Sequence, residues 1–172
     1  MLKVMGAMLV LISAYAIGSL LALKVKEQEK WLKDIKTALL LLLGELEYRQ
    51  LPLPEALECI GQRHGGHLTV FFRMAAEELQ KKEVSSLKEL WKKLAESVME
   101  GSPLSKQQKE EFAELGMYFM EADKATRRAS LEFYLNRLEE DLVKLRDKGA
   151  NKAYLCRTLG MLGGIFLLIL VL

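Results

Sequence analysis

Few residues in this chain have chemistry to offer. Its two histidines, His64 and His67, flank a glycine pair in His64-Gly65-Gly66-His67. As metal ligands they would need a third donor at useful spacing, and none stands there. The stretch reads instead as a turn. Glu110-Glu111 and Glu139-Glu140-Asp141 are adjacent carboxylates. Neighbours on a helix diverge around its axis, so these groups do not converge on one bond as an acid–base pair must. Cys59 and Cys156 match no metal-ligand spacing and make no disulfide framework, so both are expected to be reduced. No Ser or Cys nucleophile has a positioned base, and the phosphate-cradling pattern G-x-x-x-x-G-K-[ST] is absent. The expectation is a non-enzyme: no catalytic residue, cofactor, metal or small-molecule substrate.

The elements that carry these residues are set by where the charges lie. The chain has 172 residues, 51% apolar and 28% charged, enough for one modest domain. Residues 4–23 and 158–172 contain no Asp, Glu, Lys or Arg, and Lys3 is the one such residue outside 24–157. Two uncharged apolar ends therefore flank a charge-rich, nearly neutral middle. A net charge of +2 with no basic cluster argues against nucleic acid as the partner.

The first apolar run, Val4 to Leu23, spans ~30 Å as a helix, the thickness of a bilayer's hydrocarbon core. Ala14-Tyr15-Ala16 resembles a signal-peptidase site, but the apolar run continues past it, which favours an anchor over a cleaved leader. The last run, Thr158 to Leu172, is shorter. With Lys152 and Arg157 snorkelling to the headgroups it is read as a short or tilted second span. Lys24, Lys26, Lys30, Lys33 and Lys36 follow the first run, and Arg146, Lys148, Lys152 and Arg157 precede the second. Both inner flanks are positive, so the middle is expected in the cytoplasm with both termini across the membrane. Ala14, Gly18 and Ala22 recur four apart, as do Gly160 and Gly164, and such stripes let helices pack closely in lipid.

The middle block has helical periodicity nearly throughout. Leu32, Ile35, Leu39, Leu42, Leu43 and Leu46 mark a helix continuing from the first span. Leu51-Pro52-Leu53-Pro54 breaks it, with Pro54 suited to be the first helical residue of Glu55 to Gln62. Leu68, Phe71, Phe72, Ala75 and Leu79 mark the next helix. Ser86-Leu87-Lys88-Glu89 and Ser105-Lys106-Gln107-Gln108 read as capping boxes opening two more. Leu131, Leu135, Leu138, Leu142 and Leu145 form a heptad seam on a last helix running to about Lys148, either internal or free to dimerise. The predicted fold is all-α: an antiparallel six-helix bundle over residues 24–157, between transmembrane helices at 1–23 and 158–172.

Three motifs, in order, resemble the stage III sporulation protein AB family of endospore-forming bacteria. They are Leu51-Pro52-Leu53-Pro54-Glu55-Ala56-Leu57, then Leu115-Gly116 with Asp123 eight residues after Leu115, then Arg157-Thr158-Leu159-Gly160-Met161-Leu162-Gly163-Gly164 before the final apolar run. The likeness covers essentially the whole chain. The family's middle motif reads L-G-x-x-L-G-x-x-D-x-x-x-Q, whereas here the second Leu-Gly is Phe119-Met120 and the Gln position is Arg127. The resemblance implies a soluble domain like the F domain of type II secretion systems, an inner-membrane platform that docks a cytoplasmic ATPase. It further implies a place in the mother-cell membrane facing the forespore, within a channel-like complex of other membrane proteins. The implied docking partner is an ATPase resembling stage III sporulation protein AA. Arg49, Leu53, Glu55 and Glu58, around the Pro-rich turn, are the expected partner contacts. The alternative reading is a small membrane-anchored sensor or regulator, binding a ligand or partner helix in a pocket lined by Met74, Met117, Met120 and phenylalanines.

Overall fold

The apolar periodicity at each end of the charged block continues without a break into the apolar terminus beside it. In the computed structural model, α1 spans Leu2–Glu47 and α6 spans Lys124–Val171, 46 and 48 residues long. Backbone is described for residues 2–81, 86–119 and 123–171, and side chains for 19–20, 22–81, 86–119 and 123–147. Between the long helices lie α2 (Leu53–Arg63), α3 (Thr69–Gln80), α4 (Leu87–Met99) and α5 (Lys106–Tyr118), and the described residues contain no strand. The sequence reading placed six helices in these regions. It differs in ending the last helix at about Lys148, where α6 runs on to Val171, and in starting α2 at Pro54; Leu53 is the first helical residue and Pro54 the second.

Each helix packs on the one before it, and α6 closes back on α1. The α1–α6 pair is antiparallel: Arg146 meets Glu29 at 3.2 Å, Lys36 meets Glu139, and Arg128 meets Glu47 at 3.3 Å, so numbers rise on one helix as they fall on the other. Leu32, Ile35, Leu39 and Leu42 of α1 face the interior opposite Leu131, Leu135, Leu138 and Leu142 of α6, all buried. The leucine seam is therefore internal.

Among the described residues, no helix is long and apolar enough to cross a membrane. The side chains of most of the two apolar ends, including Ala14, Gly18, Gly160 and Gly164, lie outside those described, as does Cys156; Ala22 is described and exposed.

Packing is tightest where α3, α4 and α5 meet. Trp91 is fully buried against Phe71 (centroids 4.7 Å apart), Phe112 (5.8 Å) and Phe119 (5.0 Å), and its Nε1 donates to the Phe112 carbonyl at 3.0 Å. Gly116 permits this approach, since a Cβ there would sit 2.6 Å from Trp91 Cβ. The Leu115-Gly116 pair thus has a packing reason.

The helix starts follow their caps. Ser86 Oγ accepts from Glu89 N–H at 3.4 Å, and Ser105 and Gln108 complete a reciprocal capping box. Asp123 opens α6, accepting from the Thr126 backbone at 3.0 Å and hydroxyl at 2.8 Å, which hold its carboxyl below the usual range. Gln108 also links three helices: its Oε1 accepts from Gln28 at 2.9 Å and its Nε2 donates to Asp141 at 2.6 Å. Gln108→Ala removes a cap and both bridges. It is expected to destabilise the protein by about 1–3 kcal/mol, measured by thermal unfolding of the full chain in detergent. A change below about 0.5 kcal/mol would mean that solvent replaces these bonds.

Candidate docking site at the proline turn

The geometry of the long pair decides which end of the bundle is free. Both apolar termini leave the α1–α6 pair at the same end. From Leu23, α1 runs 24 residues to Glu47, about 36 Å at 1.5 Å per residue. At that far end α1 stops, the Pro-rich turn follows, α5 ends and α6 begins.

The stop is made by Gln50, the one non-glycine in the described chain with positive φ, at +53°. The left-handed region costs an L residue about 1–2 kcal/mol. Here it turns the chain so that the Leu51 N–H returns to the Glu45 carbonyl at 3.2 Å. Leu51 and Pro52 then stand as a short wall before α2. Across from them lie Phe119, the C-cap of α5, and Lys124 and Arg127 in the first turn of α6. Together with Leu46, Gln50 and Leu53 these enclose a cleft of about 220 Å³.

The cleft brings Leu51, Pro52 and Leu53 of the first motif against Phe119, Lys124 and Arg127, which lie within or just after the second motif and at least 66 residues further along the chain. Leu53 lines it and packs partly against the core. Arg49, Glu55 and Glu58 are exposed and do not line it. Arg49 is tied to Glu45 at 2.8 Å and lies 3.9 Å from Cys59 Sγ, with Arg63 joining Glu45 at 3.4 Å. Glu58 accepts from Gln62 at 3.2 Å and from Gln80 at 2.9 Å, pinning α2 to the end of α3. Phe119, Lys124 and Arg127 were absent from the sequence-based set of contacts. Phe119 and Arg127 are the positions where this chain departs from the family's middle motif, and that departure was the available signal; Met120 lies outside the described residues.

A second concavity, an open groove of about 900 Å³, runs between α4 and α5 over Ala95, Met99, Ala113 and Met117, with Lys and Glu on both rims. Met117 lines it, but Met74 is exposed on α3 away from it, and Phe71, Phe72, Phe112 and Phe119 are core. Among the described residues, Met74, Met117 and these phenylalanines do not line one common pocket.

The histidine turn is built around a carboxylate. Asp34 of α1 accepts from the His67 N–H at 2.6 Å and the Leu68 N–H at 3.3 Å. His64 Nε2 lies 2.6 Å from Asp34 Oδ1 without the alignment of a hydrogen bond, and His67 stacks on Trp31 at 4.5 Å. No group of three or more His, Cys, Asp or Glu among the described residues is placed to hold a metal.

The family model for stage III sporulation protein AB matches residues 3–172. The chain is similar to stage III sporulation protein AB of Bacillus subtilis (strain 168), with 23% identity over 171 residues, 99% of either chain. No solved structure matches it.

Proposed function

Because the chain belongs to the stage III sporulation protein AB family, we propose that it serves endospore formation as a non-enzymatic membrane platform whose helical bundle docks a cytoplasmic ATPase. In this reading the apolar ends anchor α1 and α6 in the mother-cell membrane facing the forespore. The bundle projects into the cytoplasm, and the proline-turn end meets an ATPase resembling stage III sporulation protein AA. Motion of the ATPase passes through the bundle into the two long helices and so to other membrane proteins of the complex.

One observation carries the reading: a preformed cleft, built by two motif stretches distant in sequence, stands at the end of the bundle opposite both apolar termini. A peripheral partner reaches that end without contacting lipid. Continuous helices suit transmission, because the hydrogen-bonded backbone of α1 and α6 connects the site to the apolar ends with no intervening loop.

The test is calorimetry of the full chain in lipid nanodiscs with the companion ATPase, with and without ATP. Saturable binding is expected, weakened about tenfold or more in the double reversal Arg49→Glu, Glu55→Lys, since rim charges govern encounter and register. Unchanged affinity in that variant would place the contact elsewhere on the bundle.

A further inference from the structure

We propose that the cleft at the proline turn is a carboxylate pocket: Arg127 and Lys124 receive an acidic side chain of the docking protein, and Leu51, Leu53 and Phe119 hold an apolar residue beside it. The inference rests on the docking reading and names the chemistry of the segment that docks.

Arg127 carries the argument. A guanidinium offers five N–H donors in a planar fork and stays charged at any physiological pH. In this chain it is half-buried, and its side chain has no ion pair or hydrogen bond among the described residues. Asp123 is near enough for Arg127 to lower its carboxyl, but that carboxylate is already engaged by Thr126. Lys124, one turn earlier on the same helix, is exposed and also unpaired among the described residues. Among the described residues the charged side chains that line the cleft are Lys124 and Arg127, both cations, and the first turn of α6 adds the positive end of a helix dipole. Asp123 offsets the Arg127 charge at a distance, but no side chain among the described residues fills the fork, and a partly desolvated guanidinium gains from an anion that does. The fork geometry of arginine favours a carboxylate held by two parallel bonds.

The remaining walls set the rest of the ligand. Leu46, Leu51, Pro52, Leu53 and Phe119 are apolar, so the acidic residue should have an apolar neighbour. At about 220 Å³ the cleft is smaller than the roughly 300–1,000 Å³ of small-molecule sites. It suits protruding side chains rather than a nucleotide. Left-handed Gln50 and the ring of Pro52 fix the wall before anything binds, which limits the entropy lost on docking.

The test titrates the full chain, in nanodiscs and with ¹³C-labelled phenylalanine, with the peptide acetyl-Leu-Glu-Glu-Leu-amide, following the Phe119 ring signals. A saturable shift is expected, absent with acetyl-Leu-Gln-Gln-Leu-amide and about tenfold weaker or more in Arg127→Gln, whose melting temperature checks that it folds. Equal responses to the Glu and Gln peptides would overturn the carboxylate assignment. Inorganic phosphate acting as strongly as the acidic peptide would make the cleft a general oxyanion site and overturn the peptide assignment. No response to the acidic peptide, while the ATPase still binds, overturns the pocket and leaves docking intact. A peptide that seats while the ATPase fails to bind leaves the pocket standing and removes the docking reading.

Discussion

Trp91→Ala should lower the stability of the protein by about 3–5 kcal/mol, the usual cost of emptying a large aromatic site. The indole is fully buried at the junction of α3, α4 and α5, with four phenylalanine rings within 6.5 Å between centroids. Its removal leaves a cavity and also frees the Phe112 carbonyl from the Nε1 donor. Natural domains are stable by only about 5–15 kcal/mol, so this one change is a large fraction of the total. Trp91→Phe, which keeps a ring but not the donor, should lose less.

Gly116→Ala tests the other side of the same contact. On an exposed helix that change would stabilise by about 1 kcal/mol. Here the added Cβ would meet Trp91 Cβ at 2.6 Å and Cγ at 2.8 Å, so overpacking should reverse the sign to a net loss of about 1–2 kcal/mol. Thermal unfolding of both variants and their double mutant in detergent checks the pair. Because the two side chains share one space, the double mutant should be less destabilised than the sum. Simple additivity would show that Trp91 is not what Gly116 accommodates.

The second large effect lies at Asp34. Its carboxylate takes two backbone N–H groups of the turn before α3, and its side chain is only 12% exposed. Asp34→Ala strands both donors, the Leu68 one part-buried, and an unmet buried donor costs about 1–3 kcal/mol, with the packing of the lost side chain added to it. A loss of about 2–4 kcal/mol is expected, with the α2–α3 hairpin loosened from α1. Gly66→Ala should reach a similar figure by another route, because a Cβ there would stand 1.9 Å from Asp34 Oδ1 and drive the carboxylate out. The two changes destroy one interaction, so combining them should add little. Hydrogen exchange at the His67 and Leu68 amides is the direct readout. Amides that stay protected in Asp34→Ala would show that the carboxylate does not hold the turn.

These residues mark the boundary of what the sequence discloses. Helix number and placement were legible because leucine and phenylalanine spacing is local, and so were the caps at Ser86 and Ser105. The same locality explains the glycine pair: Gly65-Gly66 announces a turn, but the carboxylate that the turn wraps is 32 residues away from Gly66 on another helix. Gly116 was visible as part of a motif, while its reason, Trp91, sits on a different helix. The cleft at the proline turn was half legible. The Pro-rich turn pointed to Leu53, which lines the cleft, and to Arg49, Glu55 and Glu58, which are exposed and do not line it. Arg127 was noticed as a departure from a pattern, but periodicity alone does not bring the start of α6 against the end of α1. That proximity follows from the antiparallel pairing of two helices that four other helices separate in sequence.

In the proposed function the partner docks at the proline-turn end, away from the apolar termini. A photo-cross-linking residue placed at Pro52, and in a separate protein at Lys26, addresses it directly in vesicles carrying the full chain and the companion ATPase. A cross-link from position 52 that Arg127→Gln diminishes is expected, and none from position 26. A cross-link from position 26 with none from position 52 would contradict it, and would place the ATPase at the end of the bundle beside the apolar termini.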